Sequence, residues 1–198
     1  MRRLRWLGLL LLVLAAPVQA QTDLDPDMPV HGPWFLPREV FVGAFLGGAT
    51  FTPLALLKWE IDLFHQRMDT LMFVAEGGGG YATSVPGAYD AQRNPPISYL
   101  YQFSAVAALG YRMDRPNGFT FFVEAGSGPL WYGARSPFYP KENRLVGTVV
   151  GRAGIGWRAG PVTTGVSLGV SSAYGQSVRS YSFAYLGGFL LGLYCNWR

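Results

Sequence analysis

Charge is scarce in this chain of 198 residues: Lys, Arg, Asp and Glu together make up 14%, roughly half the share of an average soluble domain. A single cysteine excludes a disulfide framework. Histidine is nearly absent. His31 and His65 are the two present, with no paired-histidine or Cys/His spacing, so neither a metal nor a cofactor is expected. The 26 glycines follow no three-residue period, which excludes collagen. Beyond the first 20 residues no run of about 18 apolar residues offers a membrane helix, and from Arg38 onward no window sustains an amphipathic one. What is present is apolar surface, 49% of residues with 15% aromatic, too much for a disordered chain. The length suits one domain of about 150–200 residues.

The first 20 residues, MRRLRWLGLLLLVLAAPVQA, combine a basic start, an apolar stretch from Trp6 to Ala16 and a small-residue end at Val18-Gln19-Ala20. This is the pattern of a secretory signal peptide, and its apolar part is too short to cross a bilayer of about 30 Å as a helix. Gln21, rather than a cysteine, follows the expected cut, which argues against a lipid-anchored amino terminus. Loss of Arg2, Arg3 and Arg5 reduces the 16 basic residues to 13 against 12 acids, a net charge of +1. The remaining bases form no run, so no nucleic-acid partner is expected. Residues 21–37, QTDLDPDMPVHGPWFLP, are rich in Pro and Asp without apolar periodicity and read as a surface segment. Residues 38–198 remain for the folded domain.

Within them, polarity alternates. In LLKWEIDLF, Leu57, Trp59, Ile61 and Leu63 fall on one side, with Lys58, Glu60 and Asp62 on the other; a period of two assigns these sets to opposite faces of a strand. YLYQFSAVAALGYR repeats the pattern, with Tyr99, Tyr101, Phe103, Ala105, Ala107, Leu109 and Tyr111 opposite Gln102, Ser104, Gly110 and Arg112. Further strands are expected over about Val40–Thr50, Thr70–Thr83, Phe119–Gly133, Leu145–Arg158, Val162–Tyr174 and Ser182–Trp197, eight in all and longer than the usual five or six residues. The connections HQRMD, DRPNG and AGP, after the second, fourth and sixth strands, are short. Those after the third, fifth and seventh, VPGAYDAQRNPPI, SPFYPKENR and GQSVRSY, are longer. The first, near Phe51-Thr52-Pro53, is brief. The expected architecture is all-β: an eight-stranded antiparallel up-and-down transmembrane β-barrel with short periplasmic turns and longer external connections.

The surrounding solvent is read from the placement of charge. A soluble lipocalin-like barrel has an apolar interior and a charged exterior, whereas here one face of most strands is almost uncharged and rich in aromatics. Lipid suits that face, and a closed sheet satisfies its backbone within hydrocarbon. The opposite face carries Lys58, Glu60, Asp62, Glu76, Arg112, Glu124, Arg152 and Arg158. These are expected to pair in a narrow lumen, centred on Glu76, Glu124 and Arg152, because an unpaired buried charge costs several kcal/mol. Eight strands leave an interior filled by side chains, so a plug is expected rather than a pore. Tyr81, Tyr99, Tyr111, Phe119, Trp131, Trp157, Tyr174 and Trp197 fall near strand ends as two aromatic girdles. The terminal GLYCNWR resembles the closing-strand signal read by the barrel-assembly machinery, although Arg198 follows the aromatic. Cys195 then points to lipid, away from reactive chemistry. The run Gly77–Gly80 precedes no helix, which excludes a phosphate loop, and Glu60 with Asp62 reads as a pair of ion-pair partners rather than a glycosidase pair.

FVEAG at Phe122–Gly126, GRAGIGWR at Gly151–Arg158, VSSAYG at Val170–Gly175 and RSYSF at Arg179–Phe183 resemble, in order and over about a third of the chain, the lipid A 3-O-deacylase family. That resemblance implies an eight-stranded outer-membrane barrel that removes an ester-linked acyl chain from lipopolysaccharide, with a lipid-facing serine and histidine on the seventh strand and an orienting glutamate. Ser172 falls on the serine position. Val170 stands at the histidine position, Arg179 at the glutamate position and Ala173 at that of the asparagine following the serine. A serine without a base is a poor nucleophile. His65 belongs to the turn at the opposite rim, and His31 to the N-terminal segment.

The sequence thus points to a small outer-membrane barrel of a Gram-negative bacterium, non-enzymatic, with a structural or surface-interaction role. Its expected partners are outer-membrane lipid and lipopolysaccharide, the assembly machinery during insertion, and an unspecified loop partner. Two alternatives stand beside it: a lipid A or phospholipid acyl-ester hydrolase with a rearranged site around Ser172, and a carrier of small apolar molecules.

Overall fold

The computed structural model describes residues 35–47, 50–84, 97–137, 140–174 and 186–197; the expected signal peptide and residues 21–34 lie outside them. Eight strands follow in chain order: β1 (Glu39–Leu46), β2 (Thr50–Gln66), β3 (Asp69–Ser84), β4 (Tyr99–Asp114), β5 (Phe119–Arg135), β6 (Glu142–Ala159), β7 (Val162–Tyr174) and β8 (Gly188–Trp197). Each pairs antiparallel with its chain neighbour, and β1 pairs with β8 to close the barrel. The period-two pattern becomes a division between inside and outside. Along β2, Thr52, Leu54, Leu56, Lys58 and Glu60 are buried while Phe51, Leu57 and Ile61 are exposed.

Closure also imposes a tilt. Followed across the strands from Leu46 through Phe189, Val170, Gly151, Ala125, Leu109, Phe73 and Ile61, the register returns to β1 at the level of Leu36, about ten residues earlier. A stagger of about ten in eight strands corresponds to a tilt of roughly 40° and an interior just wide enough for side chains to fill.

The short turns occupy one rim, at residues 67–68, 115–118 and 160–161, and the strand ends that the longer connections join, Ser84 and Tyr99, Arg135 and Glu142, Tyr174 and Gly188, lie at the other. At the first of the short turns Arg67 takes a left-handed conformation, φ 54°. At the second, Gly118 does so at φ 83°, its amide donating to the Arg115 carbonyl at 2.9 Å.

Two expected boundaries move by several residues, while β6 begins at Glu142 rather than Leu145 and β5 ends at Arg135 rather than Gly133. The first strand ends at Leu46 rather than Thr50, and Phe51 through Pro53, expected to hold the connection, belong to β2, which begins at Thr50. Proline signals a turn because it has no amide donor, but here the β2–β3 ladder skips Thr52 and Pro53, so the missing donor is absorbed within the strand. Pro129 does the same on β5, opposite the skipped Ala105 and Val106 of β4. Ser182, the expected start of the last strand, lies outside the described residues; β8 begins at Gly188, which has φ 128°, and Leu186 and Gly187 precede the pairing.

Aromatic rings lie over glycines of adjacent strands: Phe103 over Gly79, Tyr101 over Gly133 and Tyr174 over Gly147 on the outer face, and Phe122 over Gly154 in the lumen. A methyl on Gly154 would occupy the place of the Phe122 ring. Gly154→Ala is therefore expected to destabilise the barrel by about 1–3 kcal/mol, read as a lower urea midpoint of the refolded protein. An unchanged midpoint would mean the ring does not rest there.

Candidate functional site

The lumen holds the densest set of ionised groups. Lys58, fully buried, places its Nζ 2.7 Å from Glu39 Oε1 and 2.9 Å from Glu124 Oε2. Arg152 Nη2 lies 2.6 Å from the other oxygen of Glu124 and also pairs with Glu76. Nearer the short-turn end, Arg112 Nη2 meets Glu60 Oε1 at 2.6 Å. Asn196 Nδ2 joins the two groups, donating to Glu60 Oε1 at 3.1 Å and to Glu39 Oε2 at 3.5 Å. The cations also rest on rings: Lys58 Nζ is 4.8 Å from the centre of Phe122, and the Arg152 guanidinium carbon 5.4 Å from that of Phe41.

Apolar side chains seal this cluster. Phe41, Met72, Val74, Val106, Phe122 and Tyr194 pack around it, and toward the long-connection end Leu100, Leu130, Tyr132, Val146 and Leu186 form a second layer. The Tyr132 hydroxyl donates to Glu142 Oε2 at 2.8 Å. Such an interior neutralises charge in place, with carboxylates engaged by cations rather than turned toward a substrate.

Six of the eight charged residues singled out from the sequence, Lys58, Glu60, Glu76, Arg112, Glu124 and Arg152, come together in these pairs. Asp62 and Arg158 do not. Asp62 is half-exposed where a bulge between Asp62 and Phe64 shifts the β2–β3 register, and Arg158, half-exposed near the end of β6, donates through Nε to the Gly160 carbonyl at 3.1 Å.

The structure adds Glu39, which the sequence reading missed. In EVFVGAFL both faces are apolar, inward Phe41 and Phe45 against outward Val42 and Leu46, so the period of two is invisible there. Its one sequence signal was an acid beginning an apolar run.

Ser172 lies on β7, two residues from its end at the long-connection rim. It is half-buried on the outer face that also carries Leu168, Val170 and Tyr174, and its register partner on β6 is Val149. Its hydroxyl stands 3.5 Å from the Ala173 carbonyl oxygen. Val170, at the position where the resemblance calls for a histidine, presents a hydrocarbon side chain. His65 is at the opposite rim, its Nδ1 2.8 Å from Thr70 Oγ1. His31 and Arg179 lie outside the described residues. Among the described residues, no group of acidic, histidine and cysteine side chains is arranged to hold a metal ion.

The outer face is apolar and aromatic. Leu109, Leu145, Ile155, Leu168, Phe189 and Leu193 are exposed along it. Tyr81, Tyr99, Trp131 and Tyr174 stand toward the long-connection rim, and Tyr111, Phe119, Trp157 and Trp197 toward the short-turn rim. Near the former rim Tyr101 and Phe103 pack against Trp131, at ring-centre distances of 5.2 and 5.8 Å.

No family model matches this sequence, and no curated protein matches it. Among solved structures the chain is similar to the outer membrane enzyme PagL, with 17% sequence identity and a TM-score of 0.54 over 81% of this chain and 99% of that one. The likeness is one of fold: eight antiparallel up-and-down strands closed into the ring of an outer-membrane β-barrel.

Proposed function

We propose that this chain is a small integral outer-membrane protein of a Gram-negative bacterium, exported by its signal peptide and inserted by the barrel-assembly machinery. Its role is structural or surface-interacting and non-enzymatic, carried by the longer connections on a deacylase-like scaffold, with outer-membrane lipid and lipopolysaccharide as its surroundings. One observation carries this reading: ionised side chains are gathered and paired inside the barrel while exposed leucines, valines and aromatics cover its outside. Hydrocarbon stabilises that arrangement, since a closed sheet leaves no backbone group unsatisfied and the paired charges are kept from lipid.

The deciding experiment incubates the purified, detergent-folded protein with lipopolysaccharide and follows released hydroxy fatty acid by mass spectrometry. No release above a heat-denatured control is expected, because Val170 and Ala173 leave Ser172 without its proton acceptor and its neighbouring amide. Release that disappears in Ser172→Ala would replace this reading with that of an acyl-ester hydrolase. The packed lumen further predicts no large stable conductance in planar bilayers; a persistent open pore would contradict the plug.

A further inference from the structure

We infer that the lumen contains a specific binding position for one buried water molecule, held between Gln102 and Glu76 on the long-connection side of the ion-pair cluster. A cavity of about 20 Å³ lies there, lined by Glu76, Gln102, Thr148 and Ser171 together with Leu54 and Leu130. Gln102 is 4% exposed, and its amide nitrogen meets no acceptor among the described residues. Buried polar groups are normally hydrogen-bonded, so this donor requires an acceptor from within the cavity. Thr148 and Ser171 are engaged with each other, their hydroxyl oxygens 3.2 Å apart.

Three constraints identify the occupant. Gln102 presents an N–H donor, which a cation cannot satisfy. The adjoining buried chain Glu76, Arg152, Glu124, Lys58 and Glu39 has three carboxylates to two cations, which rejects an anion. The volume holds one water, which needs roughly 10–15 Å³, and excludes larger ligands. A neutral molecule that both accepts and donates satisfies all three: it accepts from Gln102 and donates toward the Glu76 carboxylate. The cluster is then solvated from this side by a fixed molecule rather than by a column of water.

The test is through-space NMR on the detergent-folded protein with Gln102 side-chain amide resonances assigned. A cross-peak between those protons and a long-lived water is expected. Gln102→Leu should lose it while the backbone amide fingerprint persists, and, should that variant fail to fold, a high-resolution crystal structure of the unmodified protein supplies the same reading as a single density peak within hydrogen-bond distance of Gln102 and Glu76. Gln102 protons bonded to a protein acceptor, or rapid exchange with bulk water, would overturn the inference.

Discussion

Replacing Lys58 with methionine is expected to cost about 3–5 kcal/mol of folding stability, the range seen when one partner of a buried ion pair is removed. The side chain is fully buried between Glu39 and Glu124, donating to the first and forming an ion pair with the second. Methionine fills much of the same volume, so the loss comes chiefly from stranding carboxylates without their cation. The check is the urea midpoint of the refolded barrel in vesicles. Combining Lys58→Met with Glu39→Gln and Glu124→Gln should recover much of the loss, because replacing a buried ionic group as a whole is often nearly neutral. The difference between the single and combined variants reports the coupling directly. A single variant as stable as the parent would mean that Lys58 reaches water.

Leu168→Arg is expected to cost about 2–4 kcal/mol in a bilayer, as for a cation at the midplane of a lipid-facing strand. Leu168 stands near the middle of β7 and is 62% exposed. Tyr174→Arg, on the same face two residues beyond Ser172 at the end of β7, should cost no more than about 1 kcal/mol through charge, since the penalty falls toward the interface. The contrast between the two positions carries the argument. In a barrel surrounded by water an arginine at an exposed leucine changes stability little, usually within about 0.5 kcal/mol. Equal and small effects at Leu168 and Tyr174 would therefore remove the case for hydrocarbon outside.

Both predictions depend on which face each residue occupies, and that was largely legible in the chain. Lys58, Glu60 and Glu76 sit on the buried side while Leu57 and Ile61 are exposed, because side-chain direction in a strand alternates residue by residue and needs no knowledge of neighbours. Where both faces were apolar, as around Glu39, the signal vanished. Where proline argued for a turn, at Pro53, the strand absorbed the missing donor by skipping ladder pairs.

The candidate site divides along the same line. The mismatches around Ser172 could be read from the identities of Val170 and Ala173, since the chemistry of a side chain travels with its type. Where Ser172 stands relative to His65 required only the parity and direction of two strands. The bulge that follows Asp62, by contrast, has no local sequence mark.

By itself, then, the amino-acid order determined the strand number, the up-and-down sequence of long and short connections, and the sorting of charge from hydrocarbon, all of which arise from local periodicity. Only the closed structure decided which charges meet. Glu39 meets Lys58 and Asn196 as direct partners on its two neighbouring strands, but Lys58 reaches Glu124 on β5 and Arg152 reaches Glu76 on β3 across the lumen, contacts set by the stagger of about ten residues around the ring. That stagger belongs to the complete circuit of eight registers, so no single segment encodes it, and it brings the carboxylates and cations of non-neighbouring strands to one level of the lumen.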